Sequence, residues 1–325
     1  MKRRWLTGRI LSSLGVLAAV LVLNFLLFRI MPGDPVSTII DPNFSPEAKA
    51  HLRALYGLDK PLVQQFFIYI RQMLTFRFGL SFLSGKPVWD ELLSRLPGTL
   101  ALMASSMLFS SVLGIWLGVK AALNRGKFIE RLVLRAGAIT ASFPGFFVQL
   151  VLLMLFAREF PLFPLRGSVS VPPPDGGLAL TLDYVWHLAL PVFSLTLMGF
   201  GGWALYVRNL MVRALGEDFV LMARARGLSE SRVVYGHAFR TILPPILTIL
   251  LMSVPGLVSG AVITESVFSL HGVGTFLLEA VSGHDYPAAG AAFYLLALMT
   301  VVSNFFADLV YGMVDPRVRI EGENR

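Results

Sequence analysis

Apolar and polar stretches alternate along the chain on the scale of a bilayer. Met1–Arg9 is polar and basic, and an apolar run follows from Ile10 to Ile30. That run exceeds the roughly 20 residues a helical crossing requires, and no A-x-A site follows it, so it reads as an uncleaved first span. Residues 32–96 are mixed. The two prolines of MPGDP break the first helix. Ser45-Pro46-Glu47 opens an amphipathic helix that ends near Gly57, and Asp59-Lys60-Pro61 opens another with Phe66, Ile70 and Leu74 on one face. Val88–Leu96 reads as a third short amphipathic piece. Further spans are predicted over Thr99–Leu123, Ala136–Phe156, Tyr184–Val207, Ile246–Phe268 and Ala289–Met313. The third is interrupted at Phe143-Pro144-Gly145, the fourth contains Pro191 with Gly199, Gly201 and Gly202, and the fifth is broken at Pro255-Gly256. Small residues of this kind permit close helix approach. Arg158–Asp183 shows no helical period and reads as an outer loop.

The charges fix a direction. Lys120, Arg125, Lys127, Arg131 and Arg135 surround one connection, and Arg224, Arg226, Arg232 and Arg240 crowd another, whereas 271–288 holds no Lys or Arg. By the positive-inside rule the six spans place both termini in the cytosol. The organisation expected is an N-terminal tail and first span (1–31), an extracytoplasmic amphipathic segment (32–96), and a core of five spans (97–325) with a cytosolic loop at 214–241. The fold class expected is an all-α polytopic membrane protein. Composition agrees: 55% of the 325 residues are hydrophobic and 15% charged, against about 25% charged in an ordinary soluble domain. The net charge of +8 sits beside the apolar runs and so points to topology rather than nucleic acid. The sequence has no cysteine, and its five histidines stand singly, without metal-ligand spacing.

The most informative stretch is Gly216–Pro245, GEDFVLMARARGLSESRVVYGHAFRTILPP. Glu217 and Asp218 lead a short helix, where carboxylates favour the positive end of the dipole. Phe219, Met222 and Ala223 fall on one face of it, with Arg224, Ala225 and Arg226 beside them. Gly227 ends it. Leu228 follows, and Ser229 is placed to cap a second helix through Arg232, Val233, Val234 and His237. Arg240 and Pro244-Pro245 hand the chain to the next apolar run.

No G-x-x-x-x-G-K-[ST] occurs, so the chain has no phosphate cradle of its own. No G-x-S-x-G occurs either, and an intramembrane enzyme is not expected. Glu265 and Asp308 are isolated acids within spans, fewer than a proton or sodium relay requires. Pro144, Pro191, Pro255-Gly256 and Glu265 are the candidates for a translocation path, the breaks letting it open.

The order A-R-A-R-G-L-S, then Arg232, Val233, His237, Ala238, Arg240 and Pro244, resembles the "EAA" loop of permease subunits of bacterial ABC importers, and within them the peptide branch. Asp218, Phe219, Val220 and Ala223 extend the likeness. Leu221 stands where the naming Glu would be, and Gly227 to Pro244 is about a turn longer than in sugar permeases; the peptide branch shares both features. The resemblance continues in G-D-P after the first span, in Tyr56-Gly57-Leu58-Asp59 with Pro61 and Leu62, in V-F-S with Gly272 and Gly274, in Asp285-Tyr286-Pro287, in Asn304 and in Asp315-Pro316-Arg317. It implies a type I importer permease fold in the bacterial cytoplasmic membrane, and a pore built with a second, related permease. It also implies an external solute-binding protein, a peptide substrate, and two cytosolic ATP-binding subunits that carry ATP and Mg; this chain would bind no cofactor. Under the resemblance Glu217–Arg240 forms the coupling contact with an ATPase subunit. The alternative is an ion-coupled carrier or channel that works without an ATPase.

Overall fold

The computed structural model describes residues 3–30 and 59–314, with side chains described over 7–27, 59–254 and 261–309. The predicted helix from Ser45 to Gly57, the G-D-P and Tyr56-Gly57-Leu58 matches, and the Asp315-Pro316-Arg317 tail lie outside the described residues. Among the described residues every extended element is helical; one isolated bridge pairs Leu80 with Pro87.

The helices are α1 (Arg3–Ile30), α2 (Leu62–Leu74), α3 (Val88–Leu123), α4 (Phe128–Ser142) and α5 (Gly145–Leu153, continued by a π turn at Met154–Glu159). They are followed by α6 (Gly177–Leu215), α7 (Asp218–Ala225), a π turn at Arg232–Ala238 that leads into α8 (Phe239–Phe268), α9 (Val273–Ser282) and α10 (Tyr286–Val314). Five of them, α1, α3, α6, α8 and α10, are individually long and apolar enough to cross a membrane. The α4–α5 pair reaches that length only across a bend of 99°. Counted as one crossing, it gives the six predicted from the sequence.

The bend falls where Phe143-Pro144 was predicted to interrupt the third span. Phe143 and Pro144 are extended, and Pro144 caps α5. A residue before proline avoids the helical region, so the break is local and sharp.

Three boundaries differ from the sequence reading. Val88–Leu96 is not a separate piece: it is the first part of α3, which runs through Pro97. One lost hydrogen bond costs less here than ending a helix whose Val88 and Leu92 are fully buried. The outer loop is shorter than expected, because α6 begins at Gly177 rather than near Tyr184. The fifth span is not broken at Pro255-Gly256; α8 is helical from Phe239 to Phe268 with three prolines inside it. The chain turns instead after Phe268, where Ala261–Phe268 and Val273–Ser282 meet at 76°. Ser269 takes a left-handed conformation there (φ 51°), and its N–H and that of Leu270 bond back to Ser266 O and Glu265 O. That pair of bonds is a Schellman closure, which ends a helix.

Glycines set the closest crossings. Gly114 and Gly118, one turn apart on α3, lie against Phe200–Val207 of α6; a Cβ at Gly118 would stand 2.7 Å from Ala204 O. Gly137 of α4 and Gly201 of α6 touch backbone to backbone, a Cβ at Gly201 meeting Gly137 Cα at 2.5 Å. Two larger apolar clusters result among the described residues, beside a small third of Ala121, Val133 and Ala204. One surrounds Val88, Leu92, Leu190, Phe276 and Tyr294. The other packs Val119, Val207 and Met211 against Val220, Val233 and Val234 of the 216–245 stretch.

Candidate functional site

The basic loop folds as a compact helix–turn–helix. Glu217 is extended (φ −78°, ψ 149°) and occupies the cap position of α7, with Asp218 in the first turn. The far end of α7 closes on Gly227, whose φ of +75° lies in the left-handed region. Gly227 N–H donates to Arg224 O at 2.9 Å and Leu228 N–H to Ala223 O at 3.3 Å, a second Schellman closure. Leu228 then packs into the core around Ala223. Ser229 precedes the next helical turn, and its carbonyl accepts Val233 N–H at 3.0 Å.

Of the face read from the spacing of Phe219, Met222 and Ala223, only Ala223 is buried. Val220 and Ala223 point inward and are buried, joined by Val233, Val234 and Ala238 from the second arm. Phe219, Leu221 and Met222 are exposed, as is Tyr235. The helical spacing of Phe219 and Met222 reflects a shared face, but that face is turned away from the protein. Small Ala223 and β-branched Val220 suit the tight seat against Met211 and Ala214 of α6.

The second arm is also not a separate helix. From Arg232 it continues by π turns into α8 with no intervening loop. The wide π turn lies just upstream of Pro244-Pro245, which lack N–H donors, and a helix bends readily at such places. Tyr206 Oη of α6 donates to Pro245 O at 3.4 Å and ties the two spans there.

Of the candidate coupling residues, Arg224 already has a partner. Its guanidinium forks onto Glu230, with Nη2–Oε1 at 2.7 Å and Nε–Oε2 at 3.2 Å. The pair bridges the two arms across Gly227, and hydrogen bonding from Arg224 holds the Glu230 carboxyl below its usual range. Both side chains are solvent-facing, so the link orients more than it stabilises. Its contribution is complete above the ordinary carboxylate pKa and is lost only as acid protonates Glu230. The sequence reading missed Glu230, because a six-residue separation across a turn matches no helical period. Ala225, Arg226, Ser229, Arg232 and Arg240 are exposed and His237 half-buried on the same knob.

A part-buried ion pair joins α4 to α6. Glu130, in the first turn of α4, accepts Gly126 N–H at 2.6 Å and Arg208 Nε at 2.8 Å. Arg208 belongs to α6, so the carboxylate caps one helix and clamps it to another.

The pathway candidates are spread over separate elements. Pro144 sits at the α4–α5 bend, Pro191 is buried within α6, and Pro255 and Gly256 lie on α8. Glu265 is 1% exposed near the outer end of α8, with Thr99, Gly274 and Thr275 as donors. Asp308 pairs with Arg9 of α1 at 2.9 Å. Asp285 of D-Y-P caps α10 through Ala288 N–H and holds the 80–86 turn through Ser81 Oγ (2.5 Å) and Leu83 N–H (3.1 Å).

Two family models match the chain. The binding-protein-dependent transport system inner membrane component matches residues 110–320, and the N-terminal model of that membrane component matches residues 2–103. The di/tripeptide transport system permease protein DppB of Pseudomonas aeruginosa is 36% identical, the match covering 92% of this chain and 94% of that protein. The dipeptide transport system permease protein DppB of Escherichia coli is 34% identical, over 92% and 93%. The oligopeptide transport system permease protein AppB of Bacillus subtilis is 30% identical, over 97% and 98%. With its helical spans and cytosol-type basic knob, the chain belongs to the binding-protein-dependent transport system inner membrane component family, the multi-pass permeases of bacterial ABC importers.

Proposed function

We propose that this chain is one permease subunit of a peptide importer and couples its path to ATP hydrolysis on separate subunits. The observation that carries the reading is the knob. It is closed at Gly227, seated on α6 by Val220 and Ala223, continuous with α8, and exposes Phe219, Leu221 and Met222 beside Arg226 and Arg232. Exposed apolar residues rimmed by arginine suit a protein groove. The occupant is a cytosolic ATPase subunit, which holds the ATP and Mg. Displacing the knob then moves α8 directly.

The remaining partners are those that membership of an ABC importer permease family suggests. A second permease completes the pore, an external binding protein delivers peptide, and the chain itself catalyses no reaction. Both termini face the cytosol, as the knob does. An ion relay gains little support from the acids, since Glu265 and Asp308 are each engaged by donors of this chain.

The test is reconstitution. Alone in lipid the chain should neither hydrolyse ATP nor take up radiolabelled alanyl-alanine. Combined with its partners it should do both, and Gly227→Val should abolish stimulated hydrolysis and uptake while inserting normally. Uptake by the lone chain, driven by a proton or sodium gradient, would refute the proposal.

A further inference from the structure

The knob accounts for the inner end of α8 but not for the outer end, where V-F-S and G-x-G converge on one carboxylate. Glu265 is buried, and both its oxygens are used. Oε1 accepts the Thr99 hydroxyl at 2.6 Å, and Oε2 accepts the N–H groups of Gly274 at 2.7 Å and Thr275 at 3.1 Å. The Thr99 oxygen in turn accepts Val273 N–H at 2.9 Å. Gly272 is the cap residue of α9, so these are the first three amides of that helix. A helix leaves such amides without internal partners, and a carboxylate set against them is favoured by the dipole. Gly272 has no side chain to cap with, and Glu265 supplies the capping carboxylate to α9 from the preceding helix.

The two glycines give independent support. A Cβ at Gly272 would stand 2.2 Å from the Glu265 carboxylate, and one at Gly274 would meet Val262 Cα at 2.5 Å and Oε2 at 2.9 Å. G-x-G is thus what lets the acid reach the helix end. The nearby cation is occupied elsewhere: Arg95 bonds Glu279 at 3.0 Å and lies over the Phe276 ring. Three of the roughly four acceptor sites of this buried carboxylate are thus filled by donors of the chain itself, which marks Glu265 as a structural acceptor.

We propose that Glu265 is a positioning residue that fuses the outer end of α8 to α9, and that Thr99 seats the fused unit on α3. Resting on the importer reading, this makes α8–α9 a single lever arm with the ATPase-facing knob at one end and α9 at the outer mouth. The corner is closed by backbone and carboxylate bonds of its own, whereas its seat on α3 rests on side chains: the Thr99 hydroxyl, the Arg95–Glu279 pair and Ser94 facing His271 at 3.4 Å. The corner thus moves as a body, and its seat on α3 is the part that yields.

Glu265→Ala, Glu265→Gln and Thr99→Val test this in the full complex in proteoliposomes. Each is read by amide exchange over 272–276 and by ATP hydrolysed per alanyl-alanine imported. Glu265→Ala should expose the Gly274 and Thr275 amides and raise the ATP-to-peptide ratio about tenfold, the scale of a lost charge-assisted hydrogen bond. Glu265→Gln, which keeps an acceptor, should recover part of both. Thr99→Val should leave the Gly274 and Thr275 amides protected while raising hydrolysis in the absence of binding protein. Unchanged amide protection in Glu265→Ala overturns the cap whatever the protein transports. Uptake and hydrolysis falling together, at a constant ratio, overturn the lever and leave a folding role. A wild-type complex that imports no peptide overturns the importer reading, and the lever's part in coupling with it.

Discussion

Gly227 allows a prediction in which backbone strain and steric bulk separate. Its φ is +75°, and a Cβ added there meets nothing within 4 Å in the chain. A side chain at this position therefore pays for the left-handed conformation and for little else. That conformation costs an L-residue about 1–2 kcal/mol. It costs less for Asn, whose short polar side chain bonds locally, and more for a β-branched residue. If the cost falls on the closed knob, the population holding the Gly227–Arg224 and Leu228–Ala223 bonds drops roughly 5- to 30-fold for Ala. Stimulated ATPase activity of the reconstituted complex should then rank Gly, Asn, Ala, Val in falling order, with membrane-inserted protein constant across the series. Two results refute the reasoning. Equal loss in Asn and Val would mean that bulk against the partner, not φ, is limiting. Full activity in Val would mean that the turn does not set the knob's aim.

Other positions give sharper losses of stability. Removing one member of the part-buried Glu130–Arg208 pair, by Glu130→Gln or Arg208→Ala, should cost about 1.5 kcal/mol in detergent-based thermal unfolding, with partial recovery in the Glu130→Gln/Arg208→Gln double variant. Gly201→Ala forces a methyl onto Gly137 Cα and should lower the yield of folded protein, whereas Gly202→Ala, with open space around it, should not; size-exclusion profiles compare the two. Asp285→Asn weakens the hold on the 80–86 turn, so amide exchange at Ser81 and Leu83 should quicken while α6 is unaffected.

Periodicity carried the spans, because a bilayer imposes length and polarity on each crossing without reference to its neighbours. The knob's turn at Gly227 was equally readable, since positive φ is a local demand that glycine meets. What escaped the sequence was set by partners distant along the chain. The spacing of Phe219, Met222 and Ala223 identifies a face but not the direction each side chain of it points, and Phe219 and Met222 turn outward. Val220 takes the interior because Met211 and Val207 of α6 wait there. Pro255-Gly256 looked like the break in the fifth span, yet the chain turns at Ser269, a residue with no reputation for left-handed backbone. Nothing in V-F-S-L-H-G-V-G announces that turn until Thr99, 166 residues before Glu265, is seen to complete the cap.

Two Schellman closures flank α8 in the chain, one ending α7 at Gly227 before it and one ending α8 itself at Ser269. The inner closure is exposed and uses glycine, so the turn is unstrained and free to be gripped. The outer closure places serine at φ 51°, a conformation that persists only where surroundings over-determine it. Glu265 supplies that over-determination: its backbone carbonyl accepts Leu270 N–H while its side chain caps α9. Thr99 and Gly98 of α3 close the remaining side, Gly98 lying against His271 O. From Arg232 to Phe268 the intervening helix is about 55 Å long at 1.5 Å per residue, longer than the hydrocarbon layer. Under the coupling proposal, motion at the knob would reach the outer corner through one covalent helix, without a relay of side chains. Pro244-Pro245, just inside the inner end, is where that helix gives most easily, and Tyr206 steadies it there. Softening belongs near the knob and stiffness near the mouth, in line with Pro244-Pro245 at one end of α8 and buried Glu265 at the other.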